Sequence, residues 1–253
     1  PELWTNGLGP LLKPAVEEGR IASAGESIAG GAIESLWIPK YMLDAHPELA
    51  TIDGLIANPQ LFPDPEDPSK GALYGCPAGW NCQITTHQLY KAGDMANKGW
   101  NLIDPGSGAG LAGSMSEAYN KGDGWIGYYW GPTAILGQVE MVQVDQGPYD
   151  AAEWERCIGI DMDCPDPVMM NHPVSTVEIY VSANIMGNET VMNYLGNRGM
   201  TSAEISVLLA AADADQLSPE EAAEYILENR SDLWTRMVSD EAAEKIKQSL
   251  IFD

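Results

Sequence analysis

Short apolar runs alternate along the chain with longer segments of mixed polarity, and this pattern predicts strands and helices in turn. Apolar, β-branched or aromatic runs predict strands at Arg20–Ala24, Leu36–Pro39, Leu102–Asp104, Gly124–Trp130, Val139–Val144 and Val174–Ala183. Helical spacing predicts helices at Lys13–Gly19, Tyr41–His46, Thr51–Asn58, Gln83–Tyr90 and Ser114–Lys121. Because the two kinds of element alternate, we expect an α/β fold with a largely parallel sheet.

The last third of the chain is predicted to be helical. Two capping boxes, Thr201-x-x-Glu204 and Ser218-Pro-Glu-Glu221, mark helix starts, the second with proline at the first helical position. A glycine-rich segment at Gly106–Gly113 is predicted to be a turn. Its glycines do not match the G-x-G-x-x-G pattern, so a dinucleotide site is not expected.

The charge of the chain excludes several partners. Among 253 residues there are 13 Lys and Arg against 37 Asp and Glu, which gives a net charge of −24. Nucleic acid and anionic membranes attract basic surfaces, so we expect neither as a partner. The sequence contains no apolar run long enough for a membrane span and no signal peptide, and we expect a mature or truncated form of an exported protein.

Four cysteines form two close pairs, Cys76 with Cys82 and Cys157 with Cys164. Close pairs favour two local disulfides and an oxidising compartment, whereas a zinc site would need shorter spacings or partner histidines. No cofactor is expected. A calcium ion in the Asp64–Asp67 loop is the one alternative, although the spacing is not that of an EF-hand, and a solvated loop is favoured.

The segment from Tyr74 to Cys82 is the first candidate binding site. A loop closed by Cys76 and Cys82 would push Trp80 outward just before a predicted helix. The backbone amides of Asn81 and Cys82 would then lie at a helix N-terminus, which favours a ligand oxygen. The alternative is a stapled surface turn with a partly buried tryptophan.

Three tryptophans lie beside loop residues: Trp4, Trp80 and Trp130. Facing one another, they would form a box for a quaternary ammonium, which aromatic faces attract by cation–π interaction. The other five tryptophans are predicted to be structural, namely Trp37, Trp100, Trp125, Trp154 and Trp234. Of these, Trp37 and Trp125 lie inside apolar strands.

Three motifs carry a resemblance to a known family: Trp4-Thr-Asn6, the Tyr74–Cys82 loop, and Tyr128-Tyr-Trp-Gly-Pro-Thr-Ala-Ile-Leu136. They resemble the substrate-binding proteins of ABC importers for glycine betaine, choline and related trimethylammonium osmolytes. The resemblance spans almost the whole chain and implies a two-lobed type II periplasmic-binding-protein fold with a hinge. Residues 1–26 plus 177–253 would form lobe I, and residues 27–176 would form lobe II. Lobe I is expected to lack the β-α-β segment that precedes the first box tryptophan in the family.

The resemblance implies that Trp4, Trp80 and Trp130 form the box, and that the amides of Asn81 and Cys82 meet the ligand's oxygen. Asn6 and Tyr129, within the same motifs, and Glu26 are further expected ligand contacts. Some betaine binders have a basic side chain after the first tryptophan, and this chain has none there. Trimethylamine N-oxide is therefore ranked first, then glycine betaine, then choline. A carboxylate near the box, from Glu26 or Glu34, would instead favour a full cation such as choline.

Two other classes of function fit the sequence less well. An enzyme is not expected, since no nucleophile lies beside a recognisable base. A carbohydrate-binding protein, or another small-molecule binder or sensor of the same fold, is the alternative, because tryptophans also stack on sugars. We expect a monomeric periplasmic or otherwise extracytoplasmic protein that delivers its ligand to an ABC membrane permease.

Overall fold

The structure is a computed structural model that describes the backbone of residues 2–4 and all atoms of residues 12–159 and 161–250. Its strands, in chain order, are β1 Glu2–Trp4, β2 Ile21–Glu26, β3 Ile28–Ala29, β4 Ile33–Pro39, β5 Gly71–Tyr74, β6 Trp100–Ile103, β7 Gly127–Gly131, β8 Met141–Gln143, β9 Val177–Ser182 and β10 Met200–Thr201. A helix at residues 12–17 is α1. The helices that follow are α2 Lys40–Ala45, α3 Ile52–Ile56, α4 Asn81–Ala92, α5 Gly108–Lys121, α6 Ala134–Gln138, α7 Ala151–Glu153, α8 Ala183–Met186, α9 Glu189–Asn197, α10 Ser202–Ala214, α11 Pro219–Asn229, α12 Ser231–Trp234 and α13 Asp240–Ser249. Single 3₁₀ turns lie at Pro47–Ala50, Pro59–Leu61, Met95–Lys98 and Thr235–Met237, and a π turn at Trp154–Ile158 continues α7.

The described residues divide into two compact units. Unit 1 takes those within Pro1–Ile33, Gly131–Gly137 and Val174–Asp253, and unit 2 takes Glu34–Trp130 and Gln138–Pro173. The lobes predicted at residues 1–26 plus 177–253 and 27–176 stay a prediction, with boundaries a few residues from those of the units.

Unit 1 is built on a three-stranded sheet in the order β1-β9-β2, and both pairs in this sheet are antiparallel. Strands β3 and β10 form a separate parallel pair. A small cluster of Ile28, Ala32 and Val177 is buried, with Ile205 of α10 packed against it. Both predicted capping boxes are present: Thr201 caps α10, and Ser218 caps α11, which begins with proline.

Unit 2 contains a five-stranded sheet in the order β6-β5-β7-β4-β8. Strand β5 pairs parallel with β6 and β7, whereas β4 and β8 pair antiparallel. The expectation of a largely parallel sheet is therefore wrong for the three-stranded sheet of unit 1 and holds for only part of the sheet of unit 2. Alternating elements predict parallel pairing when neighbours in sequence are neighbours in the sheet, but β9 pairs with strands more than a hundred residues away.

Three tryptophans belong to the core of unit 2, as their apolar sequence context predicts. The indole N–H of Trp37 donates to the carbonyl of Tyr129 at 3.0 Å, and that of Trp100 to Ile56 O at 3.1 Å. Trp125 donates to the hydroxyl of Ser114 at 3.0 Å. Each ring is buried with its one polar atom satisfied, so these rings serve packing.

The turn predicted at the glycine-rich segment is wrong for most of its length. Helix α5 begins at Gly108, inside the predicted turn, and Ser107 caps it by accepting a hydrogen bond from the Gly110 amide at 3.0 Å. A Cβ on Gly110 would lie 2.3 Å from the carbonyl oxygen of Pro105. Position 110 therefore requires glycine because the backbone of Pro105 approaches it closely. The glycine that predicts a turn in the sequence is needed for packing within a helix.

Candidate functional site

The loop between β5 and α4 holds Trp80 at the surface of unit 2. Cys76 and Cys82 pair at disulfide distance, with their Cα atoms 5.5 Å apart. Gly79 has a φ of +87°, a value that favours glycine, and it lets the chain turn between the two cysteines. Trp80 follows as the N-cap residue of α4, and 43% of it is exposed.

The first amides of α4 have no capping side chain. Trp80 offers no side-chain acceptor to them, and the Gln83 amide is satisfied by the Trp80 carbonyl at 3.0 Å. Within the described part of the chain, no acceptor is found for the amides of Asn81 and Cys82. Helix N-termini with unsatisfied amides favour a ligand oxygen, and contact of these two amides with a ligand stays a prediction.

Trp130 lies at the end of β7 and meets the ring of Trp80. The ring centroids are 5.4 Å apart, and the planes are inclined by 62°. The two indoles thus form two adjoining walls that are inclined to each other by 62°. An ammonium group within about 6 Å of both ring centres could contact both faces at once.

Aromatic neighbours fix the position of Trp130. Tyr129 stacks on it with centroids 4.6 Å apart, and Tyr128 does so at 6.2 Å. Both tyrosines are almost fully buried, so Trp130 rests on a rigid aromatic base. Tyr129 was expected as a ligand contact, and the structure places it against Trp130.

Gly108, the first residue of α5, lies against both tryptophans. A Cβ built on this glycine would be 3.0 Å from Cη2 of Trp80 and 3.7 Å from Cη2 of Trp130. The glycine-rich pattern predicts a turn at Gly108 and does not reveal this contact. Spacing alone could not reveal it, because the three residues come from separate segments of unit 2.

A carboxylate and a histidine lie behind the aromatic base. The Tyr128 hydroxyl donates to Glu34 Oε1 at 2.5 Å. Burial, and secondarily the negative charge of Glu34, raise the pKa of Tyr128, so the phenol stays protonated as the donor. His172 packs against Tyr128 with ring centroids 5.9 Å apart. Burial lowers the pKa of His172 to about 4, so its ring is neutral at pH 7.

The remaining predicted contacts belong to unit 1 or to undescribed residues. Trp4 ends β1, where its backbone pairs with Val177, and its side chain lies outside the described part. Asn6 is also outside it. Glu26 ends β2, is exposed, and accepts a hydrogen bond from the Gly30 amide at 3.1 Å. For these three residues, ligand contact stays a prediction.

The second cysteine pair, Cys157 with Cys164, is also at disulfide distance, with a Cα separation of 5.4 Å. Gln88 and Lys91 of α4 donate to carbonyl groups of this loop, Lys91 Nζ to Cys164 O at 2.7 Å. Leu89, Ile158 and Met170 are buried beneath it. This pair therefore braces the body of α4, while the first pair braces its start.

The calcium site in the Asp64–Asp67 loop stays a prediction. Both carboxylate oxygens of Asp64 already accept hydrogen bonds, from the Asn101 side chain at 2.7 Å and the Glu66 amide at 2.8 Å. The Asn101 bond is the main reason that the pKa of Asp64 is lowered. In residues 12–159 and 161–250, the one group of three potential metal ligands is Cys157, Cys164 and Asp166. Its two sulfur atoms are joined to each other and are not free thiolates.

Comparison with known proteins tests the resemblance seen in the motifs. The family described as the substrate-binding domain of ABC-type glycine betaine transport systems matches residues 1–229. The glycine betaine/L-proline-binding protein ProX from Borrelia burgdorferi has a TM-score of 0.54 at 14% identity, over 96% of this chain and 77% of that one. Lactococcal OpuAC, solved closed with glycine betaine, has a TM-score of 0.51 at 15% identity, over 94% of this chain and 78% of that one. YehZ from Escherichia coli has a TM-score of 0.53 at 11% identity, over 89% of this chain and 72% of that one.

At such identities the solved structures show the fold, while the family match shows the class of protein. The fold is that of type II periplasmic binding proteins, as expected. Proteins of this family are extracytoplasmic solute-binding components that work with ABC permeases. Among the described residues, no helix combines the length and the apolar character that crossing a membrane requires. The chain belongs to the family of substrate-binding domains of ABC-type glycine betaine transport systems.

Proposed function

We propose that this protein binds a trimethylammonium osmolyte in an aromatic cage and delivers it, on the periplasmic side of the membrane, to an ABC permease. The observation that carries the proposal is the inclined pair of indole rings, Trp80 and Trp130, beside the uncapped amides of α4. One part suits a methylated ammonium and the other suits an oxygen. Lactococcal OpuAC, which shares the fold, was solved with glycine betaine.

The two walls supply only part of the binding free energy. Each desolvated aromatic face contributes about 0.5–2 kcal/mol, and each buried methyl group adds about 0.8 kcal/mol. Two faces and three methyl groups therefore give roughly 3–6 kcal/mol, short of the ~8 kcal/mol of a micromolar complex. Trp4 as a third wall and the amides of Asn81 and Cys82 would supply the remainder.

Trimethylamine N-oxide is the first candidate ligand, followed by glycine betaine and choline. The motifs around Trp80 and Trp130 contain no Lys, Arg or His, the side chains that pair with a carboxylate. A single N-oxide oxygen needs fewer donors than a carboxylate, and two amides at a helix N-terminus match it.

Calorimetric titration against trimethylamine N-oxide, glycine betaine, choline and maltose tests the proposal. We expect binding of at least one trimethylammonium compound and none of maltose. The Trp80→Ala variant should lose at least about tenfold in affinity while staying folded. Tyr149→Ala is the matched control, because Tyr149 is an equally exposed aromatic residue of unit 2, and it should bind like the wild type. Heat with maltose alone, or an unchanged Trp80→Ala variant, would contradict the proposal.

A further inference from the structure

The carboxylate of Glu34 is a half-buried charge with one neutral partner. It lies on β4 and accepts the hydrogen bond of the Tyr128 hydroxyl. In residues 12–159 and 161–250, no Lys, Arg or His forms an ion pair with it. A carboxylate withdrawn from water is costly unless a positive charge compensates it, so Glu34 lacks the counter-charge that such a group normally has.

The nearest histidine does not supply that charge. His172 packs on the same tyrosine, but it is buried, and neither ring nitrogen has a hydrogen-bond partner in the described part of the chain. Its ring is therefore neutral at pH 7. His172 therefore does not neutralise the negative charge of Glu34, and this charge acts on a ligand bound at the aromatic residues.

A continuous series of contacts joins Glu34 to the tryptophan walls. Its carboxylate holds the hydroxyl of Tyr128, the Tyr128 ring stacks on Trp130 at 6.2 Å, and Trp130 meets Trp80 at 5.4 Å. Strand β4, which carries Glu34, and strand β7, which carries Tyr128 and Trp130, are neighbours in one sheet. Because Tyr128 is buried, protein and not solvent separates the Glu34 carboxylate from Trp130, and the charge is screened less than it would be in water.

We infer that Glu34 determines charge selectivity in the aromatic site and favours ligands with a net positive charge over zwitterions that carry a carboxylate. This inference rests on the proposed function, and it places choline ahead of glycine betaine, the reverse of the order that the hydrogen-bond donors alone suggest. Choline gains from the negative charge, whereas in glycine betaine the attraction of the ammonium is offset by repulsion of the carboxylate. Trimethylamine N-oxide falls between them, since its oxygen is bonded directly to the nitrogen.

A purely structural role for Glu34 makes a different prediction. If the carboxylate acts only by holding Tyr128, then removing the Tyr128 hydroxyl should have the same effect as changing Glu34. If it acts through charge, the two changes differ. Glu34→Gln keeps an oxygen acceptor for the phenol and removes the charge, whereas Tyr128→Phe keeps the ring and the charge and removes the hydrogen bond.

The test is calorimetric titration of choline, glycine betaine and trimethylamine N-oxide into the wild type, Glu34→Gln and Tyr128→Phe. The quantity compared is the Kd of glycine betaine divided by that of choline. Glu34→Gln should lower this ratio by about fivefold to thirtyfold, and Tyr128→Phe should leave it within about twofold. Glu155→Gln, which removes one exposed charge from the same unit, is the control for net charge and should also leave the ratio unchanged.

An unchanged ratio in Glu34→Gln would overturn the inference, and so would an equal shift in Tyr128→Phe. Thermal unfolding of both variants shows whether they are folded, and the ratio is insensitive to a loss of binding that affects all ligands alike. Failure of the wild type to bind any of the three compounds would overturn the proposed function itself, which is a distinct result.

Discussion

Replacing Gly108 with alanine should weaken ligand binding without destabilising the fold. Gly108 is the first residue of α5, and its φ lies outside the left-handed region, so alanine can adopt the backbone conformation. The new Cβ would lie 3.0 Å from Cη2 of Trp80 and 3.6 Å from Cζ2 of the same ring. The Trp80 ring must therefore move by a few tenths of an ångström, and Trp130, whose ring centroid lies 5.4 Å from that of Trp80, limits this movement.

The expected magnitudes follow from these contacts. Glycine to alanine in a compatible conformation stabilises a protein by about 0.4–1 kcal/mol, and displacing the outer edge of a half-exposed indole removes part of that gain. We expect a change in unfolding free energy of less than about 1 kcal/mol. The binding loss is larger, since one misaligned aromatic face forfeits about 0.5–2 kcal/mol, or roughly 2-fold to 30-fold in Kd.

Gly113 provides the matched control within the same helix. A Cβ there meets no atom within 4 Å, so Gly113→Ala should gain stability and bind like the wild type. The assays are calorimetric titration with the tightest of the trimethylammonium ligands and urea unfolding of both variants. A folded Gly108→Ala protein with wild-type affinity would refute the reasoning, as would an equal loss of affinity in Gly113→Ala.

Two further predictions concern the disulfides and acid stability. The Cys76–Cys82 and Cys157–Cys164 disulfides close loops of similar length, so replacing either pair with serines should lower the free energy of unfolding, measured in urea, by about 2 kcal/mol. Only loss of the first disulfide should weaken ligand binding, because its loop holds Trp80. Equal affinities of the two variants would contradict this prediction. The hydrogen bonds from Arg236 are the main cause that lowers the pKa of Glu204 from 4.5 to about 2. Glu204 therefore stabilises the fold above pH 4.5 and loses this effect as the pH falls toward 2. Glu204→Gln should lower the free energy of unfolding by about 1 kcal/mol at pH 6, after allowance for the exposed guanidinium, and by less at pH 3. A loss of stability that does not depend on pH would show that the ion pair is not responsible.

Local chemistry made several features of this protein predictable. The capping boxes at Thr201 and Ser218 depend on residues three positions apart, so their helix starts were correct to the residue. The cysteine pairs are six and seven positions apart, and such short loops close without information from the rest of the chain. The three family motifs likewise lie within short segments, and the family match confirmed the resemblance they carry.

Features that depend on distant segments were decided only by the tertiary structure. The antiparallel sheet of unit 1 was not predicted, because β9 enters between two strands from the start of the chain. The contact of Gly108 with two indoles, and the choice of Glu34 over Glu26 as the carboxylate bonded to Tyr128, likewise depend on how strands and helices pack. The sequence by itself determined the family, the helix caps and the disulfides, and it supplied the tryptophans of the candidate site as a prediction. Their surroundings depended on packing between residues far apart in the chain, which local pattern does not encode.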